Sequence, residues 1–180
     1  MSTDSVRSRR SFLRLMASCG GLALAPFASA APSPLLRFHH THTNEDLAFG
    51  YRDDGAYTAE EVAQFEHFLR DFRTGEQHAM DMHLPDILHA VAERIESGVT
   101  FEVISGYRSP ATNAELHRKS SEVAEHSLHM QGKAIDVRVT GYPTAKLRDH
   151  ALALKMGGVG YYAHSDFVHL DTGRVRRWTG

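Results

Sequence analysis

Apolar positions along this chain recur at two periods, and the switches between them mark out its elements. Thr58-Ala-Glu-Glu61 has the form of a capping box, and Val62, Phe65, Phe68, Leu69 and Phe72 follow at helical spacing. This predicts a core helix running to a stop at Gly75. Ile87, Leu88, Val91 and Ile95 repeat that spacing behind Pro85 and predict a second helix ending at Gly98. Thr100-Phe-Glu-Val-Ile-Ser105 reads as a strand that Gly106-Tyr-Arg-Ser-Pro110 breaks, leaving Tyr107 and Arg108 at its end. Thr112 to Arg118 suits a short helix, and Lys119-Ser-Ser-Glu122 a loop bordering a cleft. From Lys133 to Val139 the alternation places Ala134, Asp136 and Arg138 on one face of a strand, with Ile135, Val137 and Val139 on the other. Pro143 and Thr144 open a further helix lined by Leu147, Ala151 and Leu154, which Gly157 and Gly158 stop. Val159 to Tyr162 and Phe167 to Asp171 form a hairpin around Ala163-His-Ser-Asp166. Helices followed by mostly adjacent strands define an α+β fold, expected here as a small antiparallel sheet with helices packed on one face.

Upstream of these elements the pattern changes. Ser8-Arg-Arg-Ser-Phe-Leu-Arg14, an apolar run from Leu15 to Phe27 and Ala28-Ser-Ala30 match a twin-arginine export signal with its cleavage site. The apolar run is short for a membrane span and is interrupted by Gly20, Gly21 and Pro26. The expected organisation is a signal over residues 1–30, an N-terminal extension or edge segment over 31–55, and one domain over 56–180. Export by the twin-arginine translocase would deliver a periplasmic protein beginning at Ala31. Cys19, the single cysteine, lies inside the signal, so the mature chain has neither disulfides nor thiolate metal sites. A lipid on Cys19 is the competing fate, which Met16 and the good cleavage site at Ala30 argue against. The chain has 20 basic and 22 acidic residues; loss of four basic and one acidic with the signal leaves 16 and 21, a charge of −5 that offers nucleic acid no basic patch.

The chemistry gathers in Glu125-His-Ser-Leu-His-Met-Gln-Gly-Lys-Ala-Ile-Asp136. Gly132 permits a tight turn that returns His129 over the strand carrying Asp136. Phe167, His169 and Asp171 share one face of the later strand, so His169 is available as a third ligand. Two imidazoles and one carboxylate with an open fourth position make a zinc site of the catalytic kind. The residues alone leave the plainer alternative standing, because a histidine in a strand commonly serves the core or surface and this chain has 13. His39, His40 and His42 are further candidates, with His40 and His42 on one face of an edge strand before a turn at Asn44-Glu45.

Ser127-x-His129-x-x-Gly132-x-Ala134-x-Asp136, followed by Asp166-x-x-His169, resembles the signature of the LAS zinc metallopeptidases: lysostaphin-type enzymes, D-Ala-D-Ala peptidases and the hedgehog domain. Ser105-Gly-Tyr-Arg-Ser-Pro110 and the stretch from Phe167 to Trp178 are most similar to the YcbK/MepK subgroup of murein endopeptidases. The resemblance implies the α+β fold of that group, with adjacent ligand strands. It implies one Zn2+ on His129, Asp136 and His169, and Arg108 facing the substrate. Asp166 occupies the family's acid/base position; Asp171 competes for that role but suits orientation of an imidazole. Arg108 and His126 would polarise the scissile carbonyl, Tyr107 stands beside them, and Ser127 hydrogen-bonds within its turn. The expected substrates are the stem peptides and cross-links of peptidoglycan, cut by an endopeptidase. A D,D- or L,D-carboxypeptidase and a non-catalytic zinc-containing wall-binding module are the alternatives. No Gly-x-Ser-x-Gly elbow supports a serine hydrolase, and no His-Glu-x-x-His helix a thermolysin-like enzyme.

Overall fold

The computed structural model describes residues 34–95, 98–120 and 123–180. The export signal and cleavage site read at residues 1–30 lie outside them, as do Ser121 and Glu122 of the cleft loop. The strands are β1 (Leu35–His40), β2 (Asp46–Gly50), β3 (Thr100–Ser105), β4 (Ala134–Val139), β5 (Gly158–Tyr162), β6 (Phe167–Asp171) and β7 (Arg176–Thr179). The helices are α1 (Ala59–Phe68), α2 (Leu84–Ile95), α3 (Pro110–Lys119) and α4 (Thr144–Leu154). A 3-10 turn, Leu128–Gln131, leads into β4. No helix among the described residues is long and apolar enough to cross a membrane.

The α+β class holds, but the sheet corrects the expectation of a small antiparallel one. Its seven strands run β2-β1-β3-β4-β6-β5-β7. The β1–β3 and β5–β7 pairs are parallel and the others antiparallel. Parallel neighbours need a crossover, and the connection from β1 to β3 supplies one that contains β2, α1 and α2. β1 is therefore interior, and β2 forms the edge expected of His40 and His42. The two strands the pattern missed, β2 and β7, are short and lie at the two edges.

Register sorts the sheet into two chemically different faces. Phe38 pairs with Phe101, Val103 with Val137, and Val137 with Val168, so these side chains share the apolar face. α1, α2 and α4 pack there through Phe65, Phe68, Leu84, Leu88, Val91 and Leu147, all buried. Phe38 stands 5.9 Å from Phe101 and 6.1 Å from Phe65, ring centre to ring centre. Burying each such ring contributes about 1.5–3 kcal/mol. α3 adds nothing to this cluster; its buried residues are Thr112 and Asn113. The opposite face carries Glu102, Arg138, Asp136, His169 and Asp171, and the candidate metal centre develops on it.

Two helix ends differ from the pattern for local reasons. The Thr58–Glu61 capping box forms, but α1 ends at Phe68 rather than at Gly75. Asp71 intervenes: its carboxylate accepts the Arg73 N–H, and its carbonyl accepts the Gly75 N–H, closing a turn that competes with the helix. α4 ends at Leu154 because Lys155 takes the left-handed conformation, three residues ahead of Gly158.

Candidate metal centre

The turn before β4 sets the first ligand. Ser127 caps it by accepting the His129 N–H at 3.3 Å, as the sequence suggested. Gly132 then takes φ 66° and ψ 21°, a left-handed bend that a side chain would strain. A Cβ there would also collide with the Ala79 carbonyl. The bend folds His129 back over β4, where Asp136 lies opposite His169 of β6.

Three atoms converge. His129 Nε2 lies 3.1 Å from both Asp136 Oδ1 and His169 Nδ1, and the last two are 2.9 Å apart. All three residues are buried, and no other such group of metal-ligating side chains forms among the described residues. The neighbours dictate the tautomers. His129 Nδ1–H donates to the Gly106 carbonyl at 2.6 Å, and a carbonyl can only accept, so Nε2 presents its lone pair. His169 Nε2–H donates to Asp171 Oδ2 at 3.0 Å, so Nδ1 presents its own. Arg108 Nη2 holds Asp136 Oδ2. Three acceptors thus face one another, which is the donor set a divalent cation satisfies. Zinc bonds of about 2.0–2.1 Å in a tetrahedron put ligand atoms about 3.3 Å apart, close to these spacings.

The electrostatics express the same crowding. Burial, reinforced by Arg108, lowers His129 to about 4. Burial works against ionised Asp136, but His129 and Arg108 outweigh it and hold the carboxyl well below its ordinary value. Burial also opposes the charged form of His169, yet Asp136 and Asp171 overcome it and raise the imidazole. Asp171 is fully engaged: it accepts from His169, both terminal nitrogens of Arg176, and the N–H groups of Gly158 and Gly173. Its pKa is lowered, since these partners outweigh burial.

A cavity of about 300 Å³ opens over the three atoms. Arg108, His126 and Ser127 line it, as do Tyr162, Phe167, Arg176 and Trp178. The sequence assigned the last four no part in the site. Trp178 donates through Nε1 to the Tyr162 hydroxyl at 3.0 Å, and its ring lies 5.1 Å from that of His169. Glycines make this wall possible, since a Cβ at Gly160 would strike the Trp178 ring and one at Gly158 the Asp171–Arg176 pair. The pairing of Gly160 with both His169 and Trp178 is invisible until β7 is placed beside β5.

Other expected site residues lie elsewhere. Tyr107 is buried and stacked on His78 at 4.8 Å, outside the cavity wall. Asp166 also lies outside it, on the β5–β6 turn at φ 53°, where its carboxylate accepts the Thr144 hydroxyl at 2.8 Å. Its side chain is 61% exposed and 3.9 Å from Arg138. The N-terminal histidines form no part of the cluster. His39 pairs with Asp46, His40 is buried against Phe68 and Phe72, and His42 stacks on Phe72 at 4.0 Å.

An α+β sheet with a buried His-Asp-His cluster under an open cavity has the donor set of a metal-binding protein, and the family match places it among metal-binding hydrolases. The profile of the family described as peptidoglycan L,D-endopeptidase MepK matches residues 28–178, and the chain belongs to that family. It is 38% identical over 176 residues to the peptidoglycan L,D-endopeptidase MepK of Escherichia coli strain K12, covering 95% of this chain and 97% of that protein. The protein of the same name from Shigella flexneri gives the same figures. The probable peptidoglycan L,D-endopeptidase MepK of Haemophilus influenzae is 36% identical over 180 residues, 97% of each chain. No solved structure gives a significant match.

Proposed function

We propose that this protein is an exported zinc endopeptidase that hydrolyses peptide cross-links of peptidoglycan. The observation that carries the reading is the set of three mutually facing acceptors, His129 Nε2, Asp136 Oδ1 and His169 Nδ1, in a chain of this family. Zinc bound there supplies a Lewis acid and lowers the pKa of water to about 7. Arg108 holds Asp136 in its ligating orientation and presents positive charge at the cavity wall, where a scissile carbonyl gains negative charge. Asp171 keeps the His169 proton on Nε2, and the Gly106 carbonyl keeps the His129 proton on Nδ1.

A group must still take the proton from water and return it to the leaving amine. We assign this to His126, the imidazole in the cavity wall outside the ligand set. Asp166 remains the second reading, because its neighbour Ser165 lines the cavity. His126→Ala should keep its zinc and lose about 10²–10⁴ in kcat, the range a positioned base contributes. Asp166→Asn, compatible with a left-handed turn, should stay near the parent activity. Reversal of the two outcomes transfers the role to Asp166.

Purified cross-linked sacculi test the reaction: release of monomers from dimers identifies the endopeptidase. Free terminal amino acid would identify a carboxypeptidase, and unchanged sacculi a wall-binding module. Export is tested by replacing Arg9 and Arg10 with Lys, which should leave precursor in the cytoplasm, while the parent appears in the periplasm beginning at Ala31. A lipid-bearing form beginning at Cys19 would overturn the assignment of cleavage after Ala30.

A further inference from the structure

Asp71 is 1% exposed and sits after α1, well away in sequence from any ligand. Its Oδ2 accepts the Ser109 N–H at 2.9 Å and its Oδ1 the Arg73 N–H at 2.9 Å. The segment between β3 and α3 is gripped at two further points. Tyr107 N–H donates to the Leu69 carbonyl at 2.7 Å, and Arg108 N–H to the His129 carbonyl at 3.2 Å. Successive N–H groups therefore point to opposite sides: residues 107 and 109 toward the Leu69–Asp71 loop, residue 108 toward the ligand turn. The Asp71 carboxylate stands where the next carbonyl of a pairing strand would be. Gly106 fits only because it lacks a side chain, since a Cβ would meet the Leu69 carbonyl.

This short segment delivers two groups to the metal centre. The Gly106 carbonyl fixes the His129 tautomer, and Arg108 holds Asp136 while its Nε donates to Ser105 Oγ at 2.9 Å. Ser105 itself faces the site because β3 shifts register between Val103 and Ser105. We infer that Asp71 is a positioning residue for the metal centre, acting through the Gly106–Ser109 segment to orient Arg108 and, with it, the ligands Asp136 and His129. The inference rests on the proposed metal site.

Asp71→Asn tests it well, because both carboxylate oxygens face main-chain N–H groups and an amide can accept only one of them. The other N–H would meet an NH2. Zinc affinity, measured by competition with a chromophoric chelator on purified full-length mature protein, should fall about 10–100-fold, as loss of supporting hydrogen bonds around a metal does. Leu88→Ala, in the core, should lower the melting temperature with zinc affinity unchanged. In an Arg108→Ala background the Asp71→Asn effect should shrink, since coupled residues are non-additive. Unchanged affinity in Asp71→Asn, or full additivity with Arg108→Ala, overturns the inference. If Asp71→Asn does not fold, Asp71→Glu moves the two acceptor oxygens away from the Ser109 and Arg73 N–H groups by one methylene; a folded Asp71→Glu with parental zinc affinity would overturn it equally. Failure of the parent protein to bind zinc would instead remove the metal site itself.

Discussion

At the scale of single residues, ligands and their supporters should separate by metal content. His169→Ala deletes one of three facing acceptors, so zinc affinity and hydrolysis should both collapse, with metal analysis of the purified protein as the check. Asp171 touches His169 from behind and is bonded to Arg176, Gly158 and Gly173. Asp171→Asn should weaken zinc binding about 10–100-fold and leave activity that added zinc partly restores. An Asp171→Asn protein that keeps full zinc occupancy but is inactive would make Asp171 a participant in proton transfer. Alternation showed which strand face carries Asp136 and His169, but their choice as ligands together with His129 came from the spaced motif shared with the metallopeptidases. Arg176 and Trp178 were not legible in the sequence, since Arg176-Arg-Trp-Thr179 has one apolar residue in four and no apolar alternation to announce a strand.

At the scale of elements, the centre depends on how the turn before β4 and the β5–β7 pair are built. The strands β3, β4 and β6 were readable because apolar residues fill the core-facing positions of each while most polar ones fall on the other face, which gives a period of two even where both faces are buried. The end of α1 was not, because the apolar spacing continues through Leu69 and Phe72 while Asp71 diverts the backbone by side-chain hydrogen bonds. Parallel pairing was equally hidden, since alternation says nothing about strand direction. Gly132 is the element-level weak point. Gly132→Ala must adopt a left-handed φ and displace the Ala79 carbonyl, to which no flexible side chain gives way. It should cost more than the about 1 kcal/mol typical of a surface glycine and reduce zinc affinity together with stability. Gly160→Ala, pressed against the Trp178 ring, should spare the ligands and change KM more than zinc content. Equilibrium denaturation, chelator competition and steady-state kinetics on the two variants distinguish these outcomes.

At the scale of the whole molecule, the buried histidine outside the metal centre ties stability to pH. His40 is fully buried; its Nδ1 accepts the His42 N–H, so Nε2 carries a hydrogen and has no hydrogen-bond partner. Burial, then the neighbouring His42, lowers its pKa from 6.5 to about 4; Glu45 opposes this, while Arg70 and His39 add to it. The folded value lies below the unfolded one, so between these two pH values the unfolded chain binds more protons and acid favours unfolding. The stabilising difference is complete above pH 6.5 and is lost as pH falls toward 4, amounting to about 3 kcal/mol over the interval. In zinc-free protein His129 acts in the same window and the same direction, being lowered to about 4 as well, while the raised pKa of His169 acts oppositely. A single stability curve therefore mixes these three imidazoles with His42, which burial lowers, and His83, which Asp81 raises. His40→Leu isolates one of them: it keeps the packing against Phe68 and Phe72 apolar and removes the titrating group. Urea unfolding of the zinc-free parent and of His40→Leu at pH 7.5 and pH 4.5 should show the variant losing less stability on acidification, by about 2–3 kcal/mol. Equal losses in the two proteins would mean that His40 is solvated or partnered in solution and does not set the acid limit of the fold.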